Sequence, residues 1–274
     1  MFSFDSVTDR HMNKLLQAIL GGSIGLFNYA IAISPVEAAT IEIINSGFEE
    51  PSLAGLEPIV GEEIFTFTTP PGWQLYDPQG LIPTETNLAT SYPGVWNPSS
   101  AFFAEEAPEG ENIGAIFLNQ SPGSGVVGLS QTLGDTLQAS TEYTLQVAVG
   151  NPASDFFAGF PGYRLEILAG ETIIAEDNNS VTIAEGEFET VTLSFATTNQ
   201  ESSLGQPLQI RLLNTLESDG LEVNFDDVKL SANSLSLESV PESSSILSLL
   251  VLGLGLVIAT LNRRCIRIGM VENK

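Results

Sequence analysis

The chain has 274 residues and a formal net charge of −25, from 34 Asp and Glu against 9 Lys and Arg. A polyanion of this kind cannot neutralise a row of phosphates, so nucleic-acid binding is excluded. Between Ala39 and Ser239 there is no His and no Cys, which removes disulfides, Ser-His-Asp and Cys-His catalysis and ordinary zinc sites from that segment.

At the N-terminus, Arg10, His11 and Lys14 precede an apolar, Gly-containing stretch from Leu15 to Ile33. Ser34-Pro35-Val36-Glu37-Ala38 follows, with small residues where a signal peptidase reads. Residues 1–38 therefore read as a secretory signal peptide cut after Ala38; Met12-Asn13-Lys14 is a more ordinary start than Met1. Residues 39–232 are long enough for one domain with its own core. Period-two alternation and β-branched or aromatic runs dominate them.

In chain order, the pattern predicts strands over Thr40 to Asn45, Ile64 to Thr68 and Trp73 to Asp77, the last after a Pro70-Pro71-Gly72 turn that sends Trp73 into the core. Gly114 to Asn119, Val127 to Leu133 and Glu142 to Gly150 follow; in the last, Tyr143, Leu145, Val147 and Val149 share a face. Tyr163 to Leu168 and Thr172 to Ala175 flank Ala169-Gly170-Glu171 as a hairpin. Phe188 to Ala196, Leu208 to Leu213 and Leu221 to Leu230 close the series. Residues 78–112, rich in Pro and Gly, read as long loops. The fold class expected is all-β, an antiparallel sandwich.

Residues 233–245 form a Ser-rich linker carrying Pro241 and Glu242, residues 246–262 an apolar helix read as transmembrane, and residues 263–274 a tail opening on Arg263 and Arg264. Arginine blocks stay on the cytoplasmic side. The Pro-Glu pair, apolar helix and arginines resemble the PEP-CTERM sorting signal of bacterial exported proteins. The sequence departs from it at Ser243 and in the tail from Cys265 to Lys274. The resemblance implies an exosortase-type membrane protease as partner, and an exported protein anchored at the cell envelope or released to the extracellular matrix.

Within the domain, Asn45-Ser46-Gly47-Phe48-Glu49, Gly72-Trp73, Leu129-Ser130-Gln131-Thr132-Leu133, Thr141-Glu142-Tyr143-Thr144-Leu145 and Asn224-Phe225-Asp226-Asp227-Val228 resemble, in order and spacing, the galactose-binding-like jelly rolls of many carbohydrate-binding modules. That resemblance implies a jelly-roll β-sandwich and a structural Ca2+ between first and last strands. The matching positions are Glu49 and Asp226, with carbonyls near Asn45 and Glu62 completing the shell. Paired carboxylates repel without a cation, and hard cations take six to eight oxygens.

The function expected from these readings is noncatalytic binding of exopolysaccharide. Sugars stack on aromatic rings, and loops on a rigid scaffold carry such groups. One candidate loop region holds Tyr92, Trp96, Phe102 and Phe103; a second holds Asp155, Phe156, Phe157 and Phe160. Arg164 and Arg211 are the cations available to hold a hydroxyl pair. The competing reading of the rings is that they plug the ends of the sandwich. Two further functions stand beside sugar binding: a structural surface protein that binds no sugar, and a glycoside hydrolase using two carboxylates. With no histidine or cysteine available, an enzyme is not expected.

Overall fold

The computed structural model describes residues 38–235, apart from 154, 155 and 158. The expected signal peptide, the sorting residues Pro241, Glu242, Arg263 and Arg264, and the apolar C-terminal helix lie outside the described residues. So does Asp155.

Among the described residues there are twelve strands and no helix: β1 (Ala39–Ile41), β2 (Ile64–Phe65), β3 (Gln74–Tyr76), β4 (Tyr92–Asn97), β5 (Ile113–Phe117), β6 (Val127–Thr136), β7 (Thr141–Asn151), β8 (Tyr163–Ala169), β9 (Thr172–Asn178), β10 (Glu187–Ala196), β11 (Pro207–Asn214) and β12 (Glu222–Ser234). They pair antiparallel in two sheets. One runs β10-β7-β12-β5-β4-β2, with β1 added on β12; the other runs β3-β6-β11-β8-β9.

Alternation explains how the two sheets share one core. Tyr143, Leu145, Val147 and Val149 of β7 point one way and are buried with Leu165 and Ile167 of β8 and Leu208, Ile210 and Leu212 of β11. Trp73 and Phe48 lie in the same cluster, their rings 5.4 Å apart. The β8–β9 hairpin closes with Ala169 opposite Thr172, and Gly170 takes the left-handed φ of +60° that its turn requires.

β12 changes phase along its length. Val223 and Phe225 face the core before a register shift between Asp226 and Lys229; Val228 and Leu230 face it afterwards. Asp227, at the shift, has φ of 48°. The extra residue is a β-bulge. The freed Val228 N–H donates to the Ser46 carbonyl at 3.1 Å, which ties the strand to the Asn45–Glu49 turn.

The principal difference from the sequence pattern is β4, which lies inside the stretch read as loop. Its residues Tyr92 to Trp96 are all buried, so no polar alternation marks it, and Pro93 and Gly94 imitate turn chemistry. Gly94 is required sterically: a Cβ there would fall on the Thr66 carbonyl.

Leu165 lies fully buried between the sheets. Leu165→Ala is expected to lower unfolding free energy by about 2–5 kcal/mol, read as a lower midpoint in a urea melt with the slope unchanged.

Candidate active site

The seven-stranded sheet is buried on both faces along β4, β5 and the start of β12. Ile116, Val223 and Phe225 point into the main core, while their neighbours point to the opposite side. There Tyr92 and Trp96 of β4 join Ile113, Ala115 and Phe117 of β5, with Phe103 and Phe157, in a second buried cluster. Strand register places them in rows: Tyr92 stands opposite Phe117 and Phe117 opposite Glu222, while Trp96 stands opposite Ile113 on one side and Phe65 on the other.

These rows floor a cavity of about 350 Å³. Its walls are the rings of Phe65, Tyr92, Trp96, Phe102, Phe156 and Phe157, with Val60, Leu88 and Ala115, and two carboxyl groups, Glu63 and Glu222. Trp96 and Phe102 meet edge-on at 5.1 Å, and Phe117 stacks on Tyr92 at 5.1 Å. The size is that of a small-molecule pocket.

Glu222 is 1% exposed. Its Oε1 accepts a 3.0 Å hydrogen bond from Asn224 Nδ2, which also reaches the Gly114 carbonyl. Burial pushes the Glu222 carboxyl up to about 8, against the smaller lowering by Asn224. It is therefore a neutral acid at pH 7, in an apolar cavity. The Tyr92 hydroxyl is pushed up as well, by its burial and then by the nearby Glu222. Glu63, 4% exposed, accepts through Oε2 from Trp96 Nε1 at 2.8 Å and from the Ser99 N–H at 3.1 Å.

Of the residues singled out from sequence, Tyr92, Trp96, Phe102, Phe156 and Phe157 come together on this cavity. Trp96 and Phe157 are buried; Phe156 is 61% exposed, at the mouth. Phe103 stacks on Phe188 and Phe160 packs on the main core. Arg164 and Arg211 lie elsewhere, on the outer face of the other sheet. Arg211 Nη1 donates to Glu166 at 3.2 Å and its guanidinium sits 4.3 Å over Tyr76; Arg164 Nε approaches Glu166 at 3.0 Å without hydrogen-bond alignment. Lys229 pairs with Asp227.

Glu63 and Glu222 escape sequence reasoning. Glu222, Asn224 and Asp226 occupy alternate positions on β12, the pattern of a wet strand face, yet all three are buried. The available signal was a polar row on a strand too central in the sheet to reach solvent.

The metal positions share a loop. Glu49 Oε1 accepts from the backbone N–H groups of Glu111 and Asn112 at 2.9 and 2.8 Å, and Asp226 Oδ2 from that of Glu109 at 2.8 Å. Asp226 Oδ1 and Asn112 Oδ1 are buried without a donor. Burial pushes the Asp226 carboxyl up to about 8. Among the described residues no three or more His, Cys, Asp or Glu converge as a metal site. The Asn45 carbonyl named as a further ligand is already engaged by Trp73 Nε1 at 3.1 Å, and Glu62 is exposed.

Two antiparallel sheets thus carry an open aromatic-lined cavity with a buried carboxyl group on its wall. The chain belongs to the HpiC1-like family, described as HpiC1 cyclase, which matches residues 39–231. A cyclase from Fischerella sp. TAU is 44% identical, with 73% of this chain and 99% of that one covered and a TM-score of 0.67. The Stig cyclase Fisc of the same organism, in complex with (3Z)-3-(1-methyl-2-pyrrolidinylidene)-3H-indole, is 43% identical over 73% of this chain and 100% of that one, with a TM-score of 0.68. A cyclase from the same source in complex with 4-(1H-indol-3-yl)butan-2-one is 44% identical over 73% and 100%, TM-score 0.67. No curated protein matches the chain.

These matches overturn the expectations of a PEP-CTERM, galactose-binding-like carbohydrate module, of noncatalytic exopolysaccharide binding, and of polysaccharide and exosortase as partners. The family is one of cyclases, and two of the similar solved cyclases are complexes with small indole compounds. The reading of no enzyme fails for a physical reason. Histidine and cysteine are absent from the domain and carboxyls too abundant for a pair to stand out, whereas one buried carboxyl is enough for acid catalysis.

The raised Glu222 acid gives a signed pH dependence. Below its ordinary 4.5 both folded and unfolded chains hold the proton, and the contribution is fully present; between there and about 8 only the unfolded chain releases it, so stability falls as pH rises. The slope is at most about 1.4 kcal/mol per pH unit. Urea melts of wild type and Glu222→Gln at pH 5 and pH 8 check this: the variant is expected to lose less stability than wild type over that interval.

Proposed function

We propose that this chain cyclises an indole-containing small molecule in the aromatic cavity, with Glu222 as the proton donor. The observation that carries the reading is a carboxylic acid held neutral inside an apolar, ring-lined cavity. Ring closure joins two π systems and needs one of them made electrophilic. A proton moved from Glu222 to an unsaturated or imine-like group of the substrate does this. The cation formed lies among the faces of Tyr92, Trp96 and Phe157, which attract positive charge. Apolar walls keep out the water that would otherwise capture it. A second π bond closes the new ring, and the proton then released returns to the Glu222 carboxylate. Substrate and product are isomers, and no oxidant or cofactor enters the balance. The small-molecule indole complexes of the Fischerella cyclases, at 43–44% identity, support the substrate class.

The fold reading that belongs with this is a jelly-roll sandwich, supported by a chain that crosses between sheets from β6 to β7 to β8 and from β9 to β10 to β11 to β12. A structural Ca2+ belongs with it too. Two of the three buried acceptor oxygens without donors, Asp226 Oδ1 and Asn112 Oδ1, lie beside Glu49 and would hold it with that carboxylate. The ion's contribution there is neutralisation of carboxylates, and it takes no part in the proton transfer.

Glu222→Gln keeps the shape and removes the acid. It is expected to slow cyclisation by about 10²- to 10⁴-fold, with Glu222→Asp retaining part of the rate, as measured by chromatographic separation of the cyclised isomer from its linear indole precursor. Wild-type turnover is expected to decline as pH rises past about 8. For the ion, adding calcium to chelator-treated protein is expected to raise the melting temperature. Saturation at 100 times the dissociation constant corresponds to about 2.7 kcal/mol, and Asp226→Ala is expected to abolish the gain.

A further inference from the structure

The cavity holds two carboxyl groups, and acid catalysis uses one. Glu63 is built into the wall as firmly as Glu222. Its backbone is pinned in a tight turn, with its N–H on the Val60 carbonyl and its own carbonyl accepting from Ile59, both at 2.9 Å. Its side chain is fixed by Trp96 Nε1 and the Ser99 N–H, and both bonds fall on Oε2. Oε1 takes part in neither. Position along β4 separates the two acids. Tyr92 stands in the row of Glu222, and Trp96, four residues on, is the partner of Glu63. Four residues of strand span about 13 Å, so the two carboxyls are anchored to different rows of the cavity floor.

An indole buried among these rings carries one N–H, and a buried donor without an acceptor is strongly disfavoured. Phe, Leu, Val and Ala side chains offer no acceptor. Glu222 Oε1 already receives Asn224, and the Tyr92 hydroxyl stands at the Glu222 end.

We propose that Glu63 Oε1 is the acceptor that holds the indole N–H of the substrate, fixing which end of the molecule meets Glu222. This rests on the reading of the cavity as an indole site. Glu63 is in this role a binding and orienting residue: it selects free indole N–H over N-substituted ring systems.

Glu63→Gln makes a clean test. Its carbonyl oxygen keeps the bonds to Trp96 and Ser99, which turns the amide NH2 toward the place of Oε1, so that a donor faces a donor. The probes are 4-(1H-indol-3-yl)butan-2-one and the same ketone methylated on the indole nitrogen, titrated into the full domain by calorimetry. Wild type is expected to bind the parent roughly tenfold to hundredfold more tightly than the methylated probe, the cost of leaving a buried acceptor without its donor. Glu63→Gln is expected to bind both probes alike, at the weaker level, with an unchanged melting temperature. Equal wild-type affinity for the two probes overturns the proposal without need of a variant. So does an unchanged preference for the parent in Glu63→Gln, since that places the discrimination in the methyl group's bulk. If wild type binds neither probe, the indole reading of the cavity falls, and this assignment with it.

Discussion

The site depends on the desolvation of one short polar row. Glu222, Asn224 and Asp226 project from the same side of β12, in the middle of a seven-stranded sheet, and none reaches water. In solvent these would be an ordinary carboxyl, an amide and a second carboxyl. Buried, they become a neutral acid, the amide that orients it, and an oxygen left without a donor. Each change follows from removing water rather than from any unusual residue.

What removes the water is a second hydrophobic cluster on a face that most antiparallel sheets leave wet. The Phe, Tyr and Trp side chains of β4, β5 and the loop after β4 cover the row and leave a cavity among themselves. A protein built only for stability would have placed apolar side chains on β12 here. Keeping Glu222 there lowers stability at neutral pH.

The sheets were legible in the sequence because period-two patterning is a consequence of one buried face. β7, with Tyr143, Leu145, Val147 and Val149, is the clearest case, and β8, β10 and β11 follow. Patterning fails where both faces are buried. β4 shows no alternation at all, and Pro93 and Gly94 turned attention to loops. The aromatic residues of the site could be picked out by type, but sequence could not show whether they met a sugar surface, plugged an end or enclosed a cavity. Glu222 was hidden for the converse reason: its alternation with Val223 and Phe225 is that of a half-exposed strand, and only the packing of distant loops makes it buried. Glu63 sits in a turn among other acidic residues, where charge patterning carries no information about burial.

The bulge at Asp227 separates two demands made on the same strand. Three steps along β12, from Asp226 to Lys229, match two along β7, from Ala148 to Gln146. Taking one residue out would restore even pairing and would leave Val223, Phe225 and the apolar residues after them in a single phase. The sheet itself therefore has no use for the extra residue. Its effect is the Val228–Ser46 link and the turn of the chain beside Asp226. The bulge works as a hinge pin: it fastens the Asn45–Glu49 turn to β12 while the apolar side chains on either side of it keep facing the same core.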